Sequence, residues 1–242
     1  IATKCGLAWN EGSPDIFGRL TAGSVRAECE ASLKRLGVDV IDLLQIHWPH
    51  DEEHLEEGWR TIADMIKEGK VRYGGVSNFS VEQIKRVQAI HPVASLQPHY
   101  SMIQRGIEEE LLEFCAANDI GVIAYSPMQS GLLTGKYTKE LVADLPDNDW
   151  RKDRSPDFQE PGLSANLALV DGLRPIAERN DKTVAQLAIA WVLRRPEVTA
   201  AIVGARKPSQ IDGTVKAGDW ELSENDITEI DALLTKREQA LA

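Results

Sequence analysis

No apolar run in the 242-residue chain approaches the roughly 18 residues of a membrane span, and no charged segment leads into a short apolar one as in a secretory leader. A cytoplasmic address is expected. Cysteine is scarce: Cys5, Cys29 and Cys115 are far apart, odd in number and outside any C-x-x-C pattern. That argues against a disulfide framework or a zinc cluster and for reduced thiols. Positive charge is also short. The formal net charge is -11 and the pI about 5.0, with no local Lys/Arg cluster, so neither nucleic acid nor an anionic membrane is an expected partner. The G-x-G-x-x-G fingerprint is absent, and with it the usual dinucleotide signature of doubly wound α/β folds. Internal repeats and low-complexity tracts are missing as well. What remains is 43% hydrophobic and 6% aromatic, enough for one domain with a sizeable core.

Short β-type runs alternate with longer helical patterns, which predicts βα units around a parallel sheet. Six strands are read, Ile1 to Thr3, Val40 to His47, Val71 to Ser77, Val93 to Gln97, Gly121 to Ser126 and Thr199 to Val203, each followed by a turn and a helix. Two helix starts carry the spacing of a capping box, Ser80 with Gln83 and Thr183 with Gln186. Apolar spacing from Val25 through Leu33 and Leu36, and again at Ile227, Ile230, Leu233 and Leu234, marks core-facing stripes. The polar, proline-containing stretch between Tyr137 and Pro161 reads as a long excursion of the lid type, not a linker. Residues 1–242 are therefore treated as one domain.

The placement of polar residues bears on the architecture. Open doubly wound sheets and eight-stranded barrels both gather functional groups at the C-terminal ends of strands, but a barrel draws them from nearly every strand. Lys4, His47, Ser77 with Asn78, Gln97, and Tyr125 with Ser126 each stand at or just past a strand's end. The expected fold is an α/β (β/α)8 TIM barrel with about six of eight βα units in the chain, leaving about two, roughly 60 residues, unaccounted for at the N-terminus. The opening IATKCG, with no initiator Met and a strand already in progress, points the same way.

Two short patterns invite ligand chemistry. GLLTGKY, Gly131 to Tyr137, has one residue too few between its glycines for a P-loop, and Tyr137 where Ser or Thr would hold magnesium; its glycines and Lys136 can still approach an anion through backbone N–H groups. HDEEH, His50 to His54, matches the H-x-x-E-H of inverted zinc peptidases, with Glu53 as the base. An acidic helix N-terminus favoured by the dipole explains it with less, and no metal is expected. His47 alone reads as a hydrogen-bonded structural histidine before it reads as a catalyst. Lys4 is more telling, because a lysine ending a buried strand is costly unless a carboxylate or a ligand meets it.

In order along nearly the whole chain come TK (Thr3, Lys4), DLLQIHWP (Asp42 to Pro49), GKVRYGGVSNF (Gly69 to Phe79), LQPHYS (Leu96 to Ser101), AYSPMQSGLLTGK (Ala124 to Lys136) and IVGARKPSQ (Ile202 to Gln210). Together they resemble the aldo-keto reductase family, and within it bacterial reductases with a GARKPxQ segment. The resemblance implies a (β/α)8 barrel and NADPH-dependent reduction of a small-molecule aldehyde or ketone, by a monomer. It implies that Lys4 lowers the pKa of a proton-donating Tyr hydroxyl, that His47 orients the substrate oxygen, and that Trp48 lines the pocket. For the cofactor it implies that Ser77, Asn78 and Gln97 hold the carboxamide and that Tyr125 stacks on the nicotinamide. The segment from Ser126, Pro127 and Met128 to Gly131 and Leu132 resembles the pyrophosphate loop. Gly204, Arg206, Lys207 and Gln210 resemble the adenosine end, where adjacent cations suit a 2′-phosphate.

Two departures from the family pattern stand out. Gly213 and Thr214 occupy places where Glu and Asn are usual. The D-x-A-x-x-Y motif that carries the family's Asp and Tyr does not occur, and only three residues precede Lys4. A reductase read without its N-terminal part is one expectation; a non-catalytic NADP(H)-binding sensor or subunit on the same scaffold is another, and the zinc hydrolase of HDEEH a third.

Overall fold

The computed structural model describes residues 1–13 and 15–242. They form two compact units, Ile1–Pro98 with Ile107–Ile123, and His99–Gly106 with Ala124–Ala242.

In the first unit, strand β1 (Ala2–Cys5) leads into an antiparallel hairpin, β2 (Leu7–Trp9) and β3 (Ile16–Gly18), before helix α1 (Ala22–Leu36). The expected helix directly after the first strand is thus displaced by two strands too short to show a period. The βα alternation then holds through β4 (Ile41–Ile46), α2 (Leu55–Lys67), β5 (Val71–Ser77), α3 (Val81–Gln88), β6 (Ser95–Gln97), α4 (Leu111–Ala117) and the start of β7 (Gly121–Tyr125). Strands β1, β4, β5, β6 and β7 pair in parallel in that order. Their apolar runs bury one layer under helices, with Trp59, Ile62 and Met65 of α2 fully buried, as a parallel sheet covered by helices requires. The capping box at Ser80 and Gln83 is formed in both directions.

One row of the pairing register sets up the interior: Lys4 lies beside Gln45, Gln45 beside Gly75, Gly75 beside Ser95 and Ser95 beside Gly121. The two adjacent glycines of β5 face opposite ways, as strand alternation dictates. A Cβ on Gly74 would meet Trp59 Cη2 at 2.9 Å, and one on Gly75 would meet Ser95 Oγ at 2.4 Å and Gln45 Cγ at 3.1 Å. Glycine at 75 leaves space for the polar groups beside it. Gly75→Ala is expected to lower the urea midpoint by an amount equivalent to about 1–3 kcal/mol of overpacking; an unchanged midpoint would show that the interior has slack at this row.

The second unit holds the end of β7, then α5 (Lys139–Ala143), α6 (Trp150–Arg154), α7 (Gly162–Arg179), α8 (Val184–Leu193), β8 (Val198–Ile202), α9 (Pro208–Val215) and α10 (Glu224–Leu241). The stretch read as a bare excursion thus carries two short helices. Asp149 caps α6 through the Arg151 N–H, and the Arg151 guanidinium meets both the Asp149 carboxylate and the Tyr137 hydroxyl. Helix α8 starts with the Thr183 and Gln186 capping box and is buried nearly all round, as an almost wholly apolar sequence should be. Helices α7 and α10 approach closely at Gly172, where a Cβ would meet Leu233 Cδ2 at 2.5 Å. Ser223 Oγ donates to the buried Asp226 at the start of α10 at 2.7 Å. Burial alone would push the Asp226 carboxyl up, but bonds from Arg179 and Ser223 outweigh it and hold it below its usual range.

Candidate active site

The first unit gathers Lys4, His47, Ser77, Asn78 and Gln97. His47 follows β4 directly, and its backbone N–H donates to Cys5 O at 2.9 Å, so the register of β1 and β4 fixes it relative to Lys4. Both residues line a cavity of about 530 Å³ with Leu7, Trp9, Ile16 and Glu28 among its walls. The Lys4 ammonium has no ion-pair or hydrogen-bond partner among the described residues, and partial burial lowers its pKa. The sequence demanded a carboxylate or a ligand for this lysine, and no described carboxylate meets it. His47 is pushed down by burial, and further by the charges of Lys4 and His50, which keeps the imidazole neutral at pH 7. Trp48 stacks on His50, ring centroids 5.2 Å apart, and is not a wall of this cavity.

A hydrogen-bonded ladder connects the rest. Asn78 sits at φ 62°, in the left-handed region that asparagine tolerates. Its Nδ2 donates to His47 O at 3.2 Å and to Ser77 Oγ at 3.1 Å, while Ser77 Oγ donates to Gln97 O at 2.8 Å. Gln97 Nε2 donates to Gln45 Oε1 at 2.9 Å, and Gln45 Nε2 to Ser95 Oγ at 3.2 Å. Gln45 was not singled out from the sequence. A glutamine inside the apolar run LLQI, which must find partners if buried, was the signal.

The second unit holds a larger cavity, about 840 Å³, that brings together Tyr125, Ser126, Pro127, Met128 and Gly131 with Gly204, Arg206 and Gln210. Positive φ at Ser126, Gln129, Ser130 and Gly131 turns the backbone sharply along its wall. Lys136 and Arg151 also line the cavity, so three cations and no carboxylate are among its described walls, Arg151 being paired with the Asp149 carboxylate. Arg151 lay in the alternating charges of the 137–161 stretch, where nothing set it apart. Two expected residues stand elsewhere: Leu132 is buried in a small core with Val142, Phe158 and Leu163, and Lys207 is not a wall of the cavity. Gln210 Oε1 accepts from the Arg206 and Lys207 backbone N–H groups at 2.6 and 3.0 Å, fixing the turn that presents Arg206. Thr214 Oγ1 donates to Gln210 O at 2.8 Å.

The histidines of HDEEH do not converge on one ligand set. His54 Nδ1 is 2.8 Å from Asp51 Oδ1 while His50 stacks on Trp48, and no group of three or more His, Cys, Asp or Glu placed to hold a metal occurs among the described residues. No described helix is long and apolar enough to cross a membrane.

A sequence model of the aldo/keto reductase family matches residues 1–235. The chain belongs to the aldo-keto reductase family. It is 35% identical over 235 residues to the aldo-keto reductase YhdN of Bacillus subtilis (strain 168), covering 97% of this chain and 70% of that protein. Against the probable aldo-keto reductase 1 of Glycine max it is 37% identical over 230 residues, 95% of this chain and 65% of that one. The solved glycerol dehydrogenase AKR11B4 from Gluconobacter oxydans superposes with a TM-score of 0.90 at 36% identity, covering 98% of this chain and 72% of its own. An aldo-keto reductase is an oxidoreductase on an α/β barrel that works with a nicotinamide dinucleotide, and this chain carries that fold class.

Proposed function

We propose that the protein is an NADPH-dependent reductase converting aldehydes or ketones to alcohols. The observation that carries this reading is the second unit's cavity, lined by Lys136 and Arg206, by an Arg151 paired with Asp149, and by no described carboxylate, in a chain of net charge -11. Such a lining selects a polyphosphate, and the forked guanidinium of Arg206 favours a cofactor bearing a 2′-phosphate.

When bound, the reduced nicotinamide supplies the hydride. The chain's own residues then have four tasks. Gln97 Oε1, which accepts no bond from a described residue, and the Ser77 and Asn78 groups beside it would hold the carboxamide. Tyr125 offers a ring on the cavity wall. Lys4 keeps a positive charge in a half-buried place where nothing neutralises it, so its field on a developing oxyanion is stronger than in water. The proton that completes the alcohol would come from a phenol held beside Lys4, whose pKa that field would lower, and no described tyrosine is among the walls of the cavity that Lys4 lines. His47, neutral at pH 7, donates an N–H to the carbonyl oxygen and orients it.

The test is NADPH consumption with an activated aromatic aldehyde. His47→Ala is expected to reduce turnover by roughly 10²- to 10³-fold while NADPH affinity stays within about twofold of the parent. Unchanged turnover would remove His47 from the chemistry, and failure of the parent protein to bind NADPH would remove the function.

A further inference from the structure

His99 belongs to no part of the mechanism above, yet it is built into the wall behind Tyr125. The two rings stack with centroids 4.9 Å apart and planes within 14°, close to the offset geometry that aromatic pairs prefer. Tyr125 lines the large cavity and His99 does not, so His99 covers the face of the tyrosine turned away from that space. Backbone pairing fixes the spacing, since His99 and Tyr125 are bridged in parallel and Tyr100 N–H donates to Tyr125 O at 3.3 Å.

The imidazole is itself held. His99 Nε2 lies 3.1 Å from Gln129 Oε1, which also accepts from Ser101 Oγ at 2.7 Å. An amide oxygen only accepts, so Nε2 carries the proton. Gln129 Nε2 donates to Asp157 Oδ2 at 2.7 Å. Asn166 Nδ2 donates to Asp157 O at 3.0 Å and receives the Arg237 Nε–H on its own Oδ1 at 2.6 Å. The chain of bonds runs from the ring to helices α7 and α10. Gln129 is buried and stands at φ 45°, a conformation a non-glycine residue keeps only where its surroundings over-determine it.

We propose that His99 is a positioning residue for Tyr125: by stacking behind it, and being locked by Gln129, it fixes the plane the tyrosine presents to the nicotinamide. This rests on the reading of Tyr125 as the ring against which the nicotinamide packs. A loose ring would tilt with each thermal excursion, whereas a ring clamped on its rear face offers one plane. The tautomer matters as well, because a proton on Nδ1 instead of Nε2 would leave Gln129 Oε1 without its ring donor and release the clamp.

Four variants test this by NADPH titration followed through the fluorescence of the reduced nicotinamide, which needs no turnover. His99→Leu is expected to weaken NADPH roughly 3- to 10-fold, the size of a lost aromatic pair, and to broaden the rotational freedom of the bound nicotinamide in time-resolved anisotropy. His99→Phe, which keeps the stack but loses the bond to Gln129, should fall between the parent and His99→Leu in both readouts. Tyr125→Leu should weaken NADPH at least as much, and the double variant His99→Leu with Tyr125→Leu should be no weaker than Tyr125→Leu alone, since the two residues act as one unit. A harmless Tyr125→Leu would bring down the reading of that ring. A harmful Tyr125→Leu with a harmless His99→Leu, or a Phe variant as weak as the Leu one, would overturn the role of His99. Should His99→Leu fail to fold, Gln129→Leu, which likewise keeps the stack and loses the bond, is expected to match the Phe variant, and parent-like binding in both would overturn the role of the lock.

Discussion

Lys4→Met is expected to cut carbonyl turnover by roughly 10³-fold, the scale of a lost charge stabilising a developing oxyanion, in a protein that is no less stable than its parent. The two halves of this result have one cause. Lys4 is partly buried without a partner, and burial lowers its pKa. Between the folded and the unfolded pKa the unfolded chain binds more protons, so stability rises with pH through that window; below it, pH 7 included, the ammonium opposes folding by a constant amount. Methionine fills similar space without the charge, so the thermal midpoint at pH 7 should hold or rise while NADPH affinity, read by fluorescence, is unaffected. Loss of turnover with a falling midpoint would instead make Lys4 a residue that holds the fold.

Arg206→Ala is expected to weaken NADPH by about 1.5–3 kcal/mol, the range of a hydrogen bond to a charged group, or roughly 10- to 150-fold in Kd, and to weaken NADH far less. Arg206 lines the cavity and Lys207 does not, so Lys207→Ala should have the smaller effect although the two cations are adjacent in sequence. Equal losses for both cofactors would place Arg206 at the pyrophosphate and leave the 2′-phosphate without a partner. A larger loss in Lys207→Ala would mean that the turn capped by Gln210 moves on binding.

Strand ends were legible because chemistry interrupts apolar runs there. Ser77 closes β5 as read, and the two capping boxes form as their spacing dictates. The hairpin of β2 and β3 was not legible, since three residues cannot display an alternation. Leu132 shows the limit of carrying a motif across as a block: within one segment Gly131 faces the cavity while Leu132 turns into the core, and only the backbone turn decides which. His99 and Gln45 were read past for the opposite reason. Each sits beside a residue with a stronger signal, Gln97 and His47, and a ring or an amide shows its purpose only when its partners, distant in sequence, are in place. Arg151 gave no cue at all, because its neighbours Asp149, Lys152 and Asp153 alternate charge as any solvated loop would.

The cationic wall of the second unit belongs to a chain that is strongly anionic as a whole, and this sets the kinetics of a polyanion's approach. Within the screening length, about 10 Å at 0.1 M salt, an anionic ligand approaching the chain meets net repulsion; at contact with this wall it would meet Arg206 and its companions. Added electrolyte shortens the outer barrier and also weakens the inner grip. The same salt should therefore hasten both arrival and departure, so that residence time, and not encounter, is what this surface is arranged to extend.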